Sequence, residues 1–180
     1  TTSEIPANAT LAEAAKIVKG NGKLNVWYQA QIHPNEPAAG EGALVMIDNF
    51  VNDPTYKALL DKINIVIVPR INPDGSYLFS RATYDGFDMN RDHMSLKAAE
   101  LAQLHTAYRL FMSEVVLDTH EFTFYGAYND DWTSAGEYME NADDLETTPA
   151  TSLNNNPAVT KIGLDMAKRA FSDATNAGLR

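Results

Sequence analysis

Histidine and carboxylate side chains at two places in this chain have the types and spacing that a metal ion requires. His33 and Glu36 lie three residues apart in the segment HPNE, where an apolar run gives way to a helix-like sequence. His120 follows another apolar run far along the chain. A catalytic zinc site commonly has three nitrogen or oxygen ligands from the protein and one open position. Taken alone, HPNE also fits a surface histidine with a first-turn glutamate, so the prediction of a His33–Glu36–His120 site requires the fold to bring the two places together.

The segment between these places carries side chains that suit an anionic ligand. Arg81 and Arg91 offer guanidinium groups, which bind carboxylates through paired hydrogen bonds, and Asn90 offers an amide. Asp88 is placed to accept the second N–H of a ligand histidine and so to orient its ring. We therefore expect an anion-binding segment beside the metal.

The elements that must position these residues alternate between strand and helix patterns. We predict strands over residues 24–30, 63–68 and 115–118, each followed by a polar segment. The nearly uniform β-branched run at 63–68 indicates an interior strand covered on both faces, and 115–118 reads as a short buried strand. In open α/β sheets ligands bind beyond the carboxyl ends of the strands, so the polar segments should meet at one edge of the sheet.

Helices account for most of the remaining pattern. We predict them over residues 11–19, 37–51, 54–60, 95–111 and 158–177. Asp53 and Ser95 are expected as N-caps, and Gly40 and Gly42 are expected to permit close packing. The segment NPDG at 72–75 reads as a tight turn. The fold class is α/β, with a mixed, largely parallel sheet flanked by helices in a single domain over residues 1–180.

Composition narrows the classes of partner. The chain has 180 residues, of which 44% are hydrophobic and 21% charged, with a net charge of −10 and no basic cluster. That balance argues against nucleic acid or an anionic membrane as a partner. The chain contains no cysteine, so any metal must be bound by histidine or carboxylate side chains. No apolar run approaches the roughly 20 residues that span a bilayer.

Four motifs in a fixed order carry a family resemblance. HPNEP, NPDG, SRATYDGFDMNRD and LDTHEF together resemble the zinc metallocarboxypeptidases of the carboxypeptidase A/B type, over about residues 24–125. The resemblance implies a zinc carboxypeptidase-like fold and hydrolysis of a C-terminal peptide bond by metal-activated water. The substrate would be a peptide or amidated amino acid with a free C-terminal carboxylate.

The resemblance also implies a role for each matching residue. Three residues would bind a single zinc ion, and the others would support or face the substrate. The zinc ligands would be His33, Glu36 and His120; Asp88 would hold His33; Asn90 and Arg91 would bind the terminal carboxylate; and Arg81 would polarise the scissile carbonyl.

Two departures from the family pattern shape the expectation. Asn35 stands where some members carry an arginine before the ligand glutamate, which makes the chain look closer to bacterial, short-loop members. The family's general base is a glutamate on a later strand, and no glutamate after residue 121 lies in a strand-like context. We therefore expect the chain to be the N-terminal portion of a catalytic domain with its base beyond Arg180. Glu121 is a poor substitute, because adjacent strand residues face opposite sides.

Two alternative functions remain open at the level of sequence. One is an amidohydrolase or deacylase on the same scaffold, although such enzymes typically carry HGNE and lack NPDG. The other is a non-catalytic module that binds carboxylate-ended peptides, which only the missing base favours. Relatives of this type are often exported, so we expect a periplasmic or extracellular location.

Overall fold

The computed structural model describes residues 5–121 and 156–179. The chain divides into two compact units, residues 1–122 and residues 123–180. All the predicted site residues belong to the first unit. The single domain over residues 1–180 stays a prediction.

The first unit is built on a parallel three-stranded sheet. Its strands are β1 (Leu24–Ala30), β2 (Ile63–Val68) and β3 (Val115–Thr119), in the order β2-β1-β3. Leu24 of β1 pairs with Ile63 of β2, and Ala30 of β1 pairs with Thr119 of β3. Because both pairings are parallel, the carboxyl ends of the strands meet at one edge, as an α/β fold predicts.

Helices connect the strands. In the first unit they are α1 (Leu11–Gly20), α2 (Pro37–Asn52), α3 (Pro54–Lys57, continued by a 3-10 turn at Ala58–Asp61), α4 (Pro73–Leu78) and α5 (Ala99–Phe111), with a 3-10 turn at Met89–Arg91. A capping box between Thr10 and Glu13 starts α1. The second unit contains α6 (Pro157–Asn176), which the Asn156 side chain caps. No helix in the described ranges has the length and hydrophobicity needed to cross a membrane.

Two hydrophobic clusters hold the first unit together. In one, Trp27 of β1 packs against Ala15, Val18 and Phe111 of α1 and α5. The other lies under the site segments and joins Ile32, Ile71, Met89, Ala98 and Leu101. Each large apolar side chain buried in this way stabilises the fold by about 1.5–3 kcal/mol relative to exposure. The polar segments that carry the predicted site residues are therefore anchored to a packed hydrophobic core.

The strands differ from the prediction in their burial. Among the described strands β2 lies at an edge, and only Asn64 of its six residues is fully buried. In β3, Val116 and Leu117 are about half exposed. The runs were apolar enough for buried strands, but the order β2-β1-β3 gives the central position to β1.

Three local predictions are also wrong. The segment NPDG is not an isolated turn, because Asn72 caps α4 by accepting a hydrogen bond from the N–H of Gly75. Ser95 does not cap α5. Leu96 adopts a left-handed φ of 50°, and the Asp92 carboxylate accepts the N–H of Ala98 at 2.8 Å, which moves the helix start to Ala99.

Candidate metal centre

The HPNE turn joins the central strand to α2. Pro37 occupies the first turn of α2, and the N–H of Glu36 donates to the His33 carbonyl at 3.1 Å. This tight turn directs both side chains to the same point, with His33 Nδ1 at 2.8 Å from Glu36 Oε1. Both residues are buried, with exposed fractions of 4% for His33 and 8% for Glu36.

His120 reaches the same point from β3. The pairing of Ala30 with Thr119 makes the chain leave both strands at the same level of the sheet. His120 Nδ1 lies 3.0 Å from Glu36 Oε2, and the rings of His33 and His120 are 4.9 Å apart. One potential ligand atom from each of the three residues lies within 4.8 Å of the others. The structure thus brings the predicted His33–Glu36–His120 set together.

The chemistry of this donor set fits a zinc ion. Two imidazole nitrogens face one carboxylate, and these are ligand types that zinc accepts. Glu36 stands between the two Nδ1 atoms with one oxygen toward each. A divalent cation at this point would be attracted to the carboxylate and would replace protons on the two rings.

Electrostatics in the cluster favours ionised Glu36 and a charged His120. Burial alone would raise the pKa of Glu36, but the hydrogen bonds from His120 and from the Glu121 N–H, with the charges of the two histidines, outweigh it and lower that pKa. The Asp118 and Glu36 carboxylates raise the pKa of His120 to about 9. A metal ion that binds at this point must therefore compete with a proton for His120.

Asp88 connects the anion-binding segment to this centre. Its Oδ1 lies 3.3 Å from His33 Nε2, on the side of the ring that faces away from Glu36. Its Oδ2 accepts from Arg81 Nε at 2.9 Å, and Oδ1 accepts from the Asn90 N–H at 2.9 Å. Burial would raise the pKa of Asp88, but Arg81, His33 and the Asn90 N–H outweigh it and lower that pKa. Asp88 thus lies beside His33 as predicted, but within the described part of the chain His33 Nε2 makes no hydrogen bond.

The two predicted arginines differ in their surroundings. Arg81 Nη1 is 3.7 Å from Glu36 Oε1, so its guanidinium borders the ligand set. Arg91 is exposed, and its Nη1 donates to the carbonyl of Asn90 at 2.9 Å. Arg81 is therefore placed beside the metal ligands, and Arg91 presents its charge at the surface of the same segment.

A buried glutamine supports the HPNE turn from beneath. Gln31 has a φ of 53° and is 2% exposed. Its Oε1 accepts from Arg70 Nε at 2.9 Å, and its Nε2 donates to the Pro34 carbonyl at 3.3 Å. Gly40 of α2 lies directly against the Gln31 side chain, whereas nothing lies within 4 Å of a methyl group built on Gly42. Of the two predicted close-packing glycines, only Gly40 is one.

The NPDG segment also packs against the HPNE turn. A methyl group built on Gly75 would lie 2.5 Å from Pro34 Cγ and 2.6 Å from the Ala82 carbonyl oxygen. Asn72, which caps the helix start, is fully buried. NPDG therefore has a structural role, and it holds the HPNE turn in place through Pro34.

Sequence reasoning overlooked other polar residues near the site. Asp118 lies two residues before His120, and a period of two on a strand is the signal that both face one side. Glu121, weighed as a substitute base, instead accepts the Ala38 N–H with its carboxylate at 2.9 Å. His93 Nδ1 and His105 Nε2 lie 2.9 Å apart, and no sequence pattern pointed to that pair.

Comparisons with known proteins agree with the fold and the motifs. A family model described as zinc carboxypeptidase matches residues 7–109. Carboxypeptidase 2 of Trichophyton rubrum is 33% identical over 160 residues, which are 88% of this chain and 29% of that protein. Carboxypeptidase 2 of Trichophyton tonsurans is 32% identical with the same shares. The chain thus spans less than a third of the length of these curated relatives.

Two of the solved structures that this chain resembles are also carboxypeptidases. A metallo-carboxypeptidase from Burkholderia cenocepacia superposes with a TM-score of 0.52 and 27% identity, covering 58% of this chain and 30% of that one. A metallo-carboxypeptidase from Pseudomonas aeruginosa, in complex with (2-guanidinoethylmercapto)succinic acid, gives 0.52 and 27%, covering 57% and 29%. Fungal and bacterial proteins both match, and the short-loop bacterial assignment stays a prediction. Since the family model covers more than half of the sequence, this chain belongs to the zinc carboxypeptidase family.

Proposed function

We propose that this chain provides the zinc site and the carboxylate-binding segment of a metallocarboxypeptidase that hydrolyses the C-terminal peptide bond of its substrate. The observation that carries the proposal is the convergence of His33, Glu36 and His120, with all three ligand atoms within 4.8 Å of one another. His120 lies outside the range matched by the family model, so its position beside the other two is independent support. The matching relatives are named carboxypeptidases, which favours a peptidase over a deacylase.

The three ligands would hold one zinc ion, which when bound supplies a Lewis acid and lowers the pKa of a coordinated water toward 7. Arg81, 3.7 Å from Glu36, places a positive charge where the scissile carbonyl oxygen gains negative charge, and such preorganised charge stabilises the transition state. Asp88 accepts from Arg81 and contacts His33. It therefore fixes the position of the Arg81 guanidinium relative to the His33 ring.

The exposed Arg91 and the neighbouring Asn90 would bind the free carboxylate of the peptide. Asp88 takes the backbone N–H of Asn90, so the segment that binds the substrate is held by the same carboxylate that supports the zinc ligand. This arrangement would set the distance between the terminal carboxylate and the scissile bond. We propose a periplasmic or extracellular location only by analogy with the export of many relatives.

Metal analysis tests the ligand set. After dialysis against zinc and removal of free metal, the purified protein should retain about one zinc ion per chain. His33→Ala and His120→Ala should lose it, whereas His105→Gln, which changes a histidine outside the set, should keep it. Stoichiometric zinc in both alanine variants would refute the assignment.

Peptide binding tests the anion-binding segment. The zinc-loaded protein should bind a peptide with a free C-terminal carboxylate more tightly than its amide. Arg91→Ala should abolish most of that difference, whereas Arg109→Ala, which removes the same charge from the exposed side of α5, should preserve it. Equal losses in the two variants would contradict a specific role for Arg91.

A further inference from the structure

Asp118 and Gln29 form a cross-strand pair beside the metal centre. The two residues are direct partners in the register of β1 and β3. Asp118 Oδ2 lies 3.6 Å from His120 Nε2, the ring nitrogen opposite the one that faces Glu36. Burial would raise the pKa of Asp118, but the neighbouring His120 and Gln29 side chains outweigh it and lower that pKa. Asp118 thus lies beside a buried amide on the neighbouring strand and beside a metal-ligand ring.

A buried tryptophan determines which end of the Gln29 amide accepts a hydrogen bond and which end donates one. Trp27 is 1% exposed, and its indole N–H, which can only donate, bonds to Gln29 Oε1 at 2.8 Å. The Gln29 oxygen is therefore used as an acceptor, and its NH₂ group must point the other way. A carboxylate accepts only, so Asp118 is a suitable partner for that NH₂ group and for one further donor.

The His120 ring, whose Nε2 lies 3.6 Å from Asp118 Oδ2, can supply that further donor. A neutral imidazole carries one proton, and the nitrogen that donates determines which nitrogen keeps its lone pair. If Nε2 donates to Asp118, Nδ1 carries the lone pair, and Nδ1 is the atom 3.0 Å from Glu36. The Thr119 hydroxyl donates to the Gln29 carbonyl at 2.8 Å and fixes the end of β3 next to this ring.

We propose that Asp118, held in place by Gln29, is a positioning residue that sets the tautomer and direction of His120 so that Nδ1 faces the metal centre. The order of contacts is Trp27 to Gln29, Gln29 to Asp118, and Asp118 to His120. Asp88 makes the corresponding contact with His33, so each ligand histidine has a carboxylate behind it. The inference rests on the metal site of the proposed function.

Metal affinity separates positioning from simple structural support. The zinc dissociation constant of the purified protein is measured by competition with a chromophoric chelator. Asp118→Ala should weaken zinc binding by about 10–100-fold, the usual effect of removing a carboxylate behind a ligand histidine. Asp118→Asn should lose less, because its amide oxygen still accepts a hydrogen bond. Asp48→Ala, which removes the same charge from the exposed side of α2, should bind zinc like the parent.

Two further measurements complete the test. The visible spectrum of the cobalt-substituted protein should change in Asp118→Ala and not in Asp48→Ala, because the direction of the His120 ring affects the ligand field. Gln29→Leu should weaken zinc binding in the same direction as Asp118→Ala. Thermal unfolding of the metal-free variants shows whether they fold, and Asp118, whose side chain is 37% exposed, should tolerate substitution.

The outcomes distinguish the two proposals. Failure of the parent protein to bind zinc would refute the ligand assignment of the proposed function. A parent that binds zinc, together with Asp118→Ala and Asp118→Asn variants that bind within twofold of it and share its cobalt spectrum, would overturn the positioning role alone. Equal weakening by Asp118→Ala and Asp48→Ala would also overturn it, because the effect would then be one of net charge.

Discussion

Two glycines in α2 offer a matched test of how the HPNE turn is supported. Gly40 and Gly42 lie in the same helix, and in both cases replacement by alanine should favour the helix by about 0.5–1 kcal/mol. A methyl group on Gly42 has nothing within 4 Å, whereas one on Gly40 would meet the Gln31 amide, at 2.7 Å from Cδ and 3.0 Å from Cγ. Gly40→Ala should therefore lower the free energy of unfolding, whereas Gly42→Ala should raise it.

The difference between the two free energies of unfolding follows from the contacts that Gln31 would lose. Gln31 is buried and hydrogen-bonded to Arg70 and to the Pro34 carbonyl, so it cannot simply turn into solvent. Overpacking of this kind costs about 1–3 kcal/mol, and a lost hydrogen bond to a charged donor adds to that cost. After the helix gain is subtracted, Gly40→Ala should lower the free energy of unfolding by about 1–2 kcal/mol, and Gly42→Ala should raise it by about 0.5–1 kcal/mol.

Urea unfolding followed by circular dichroism measures both free energies. The same protein samples also report zinc affinity, which Gly40→Ala should weaken through the displaced HPNE turn and Gly42→Ala should leave unchanged. If the two variants have free energies of unfolding within about 0.5 kcal/mol of each other, the turn does not depend on the contact between Gly40 and Gln31.

Three other perturbations probe the same region. Gly75→Ala should destabilise the protein more than Gly40→Ala in the same urea assay, because the added methyl group would meet a proline ring and a backbone carbonyl rather than a side-chain amide; a smaller loss would contradict the packing of NPDG on the turn. Asn72→Ala should lower the free energy of unfolding by about 1–2 kcal/mol, since it removes a buried N-cap, and Asn72→Asp should restore part of it. In the metal-free protein, His120 should contribute up to about 3 kcal/mol of stability that is fully present near pH 6.5 and is lost as pH rises through 9, because the pKa of His120 is raised from 6.5 to about 9 in the folded state. Urea unfolding with a chelator present measures this slope, and His120→Gln should flatten it; an unchanged slope would show that another group causes it.

Local patterns were sufficient to predict where strands lie. The bounds of β1 and β2 agree with the prediction to the residue, because runs of apolar residues end at polar turns. Those patterns carry no information on strand order, which is why β2 was assigned an interior position that, among the described strands, belongs to β1. The start of α5 was misplaced for a similar reason. Asp92, six residues before Ala98, accepts the N–H of that N-cap residue, and the loop between them contains a left-handed residue.

The site was predictable to the extent that motifs identify individual residues. His33, Glu36, His120, Asp88 and Arg81 converge as expected. The sequence could not show what lies behind them, since supporting contacts such as Gly75 on Pro34 join segments by packing alone. Asp118 carried a signal that was overlooked, because its spacing of two from His120 is the period at which extended residues face the same side.

The three predicted ligands are unevenly spaced along the sequence. His33 and Glu36 belong to one turn, but Glu36 and His120 are 84 residues apart. A nascent chain would thus contain a two-ligand half-site well before β3 docks, and full coordination would come only with that docking. An ion bound by all three would act as a reversible cross-link across a long loop, where closure entropy is greatest. Metal loading should then slow the detachment of β3 from the sheet, which makes hydrogen exchange in that strand a direct reporter of site occupancy.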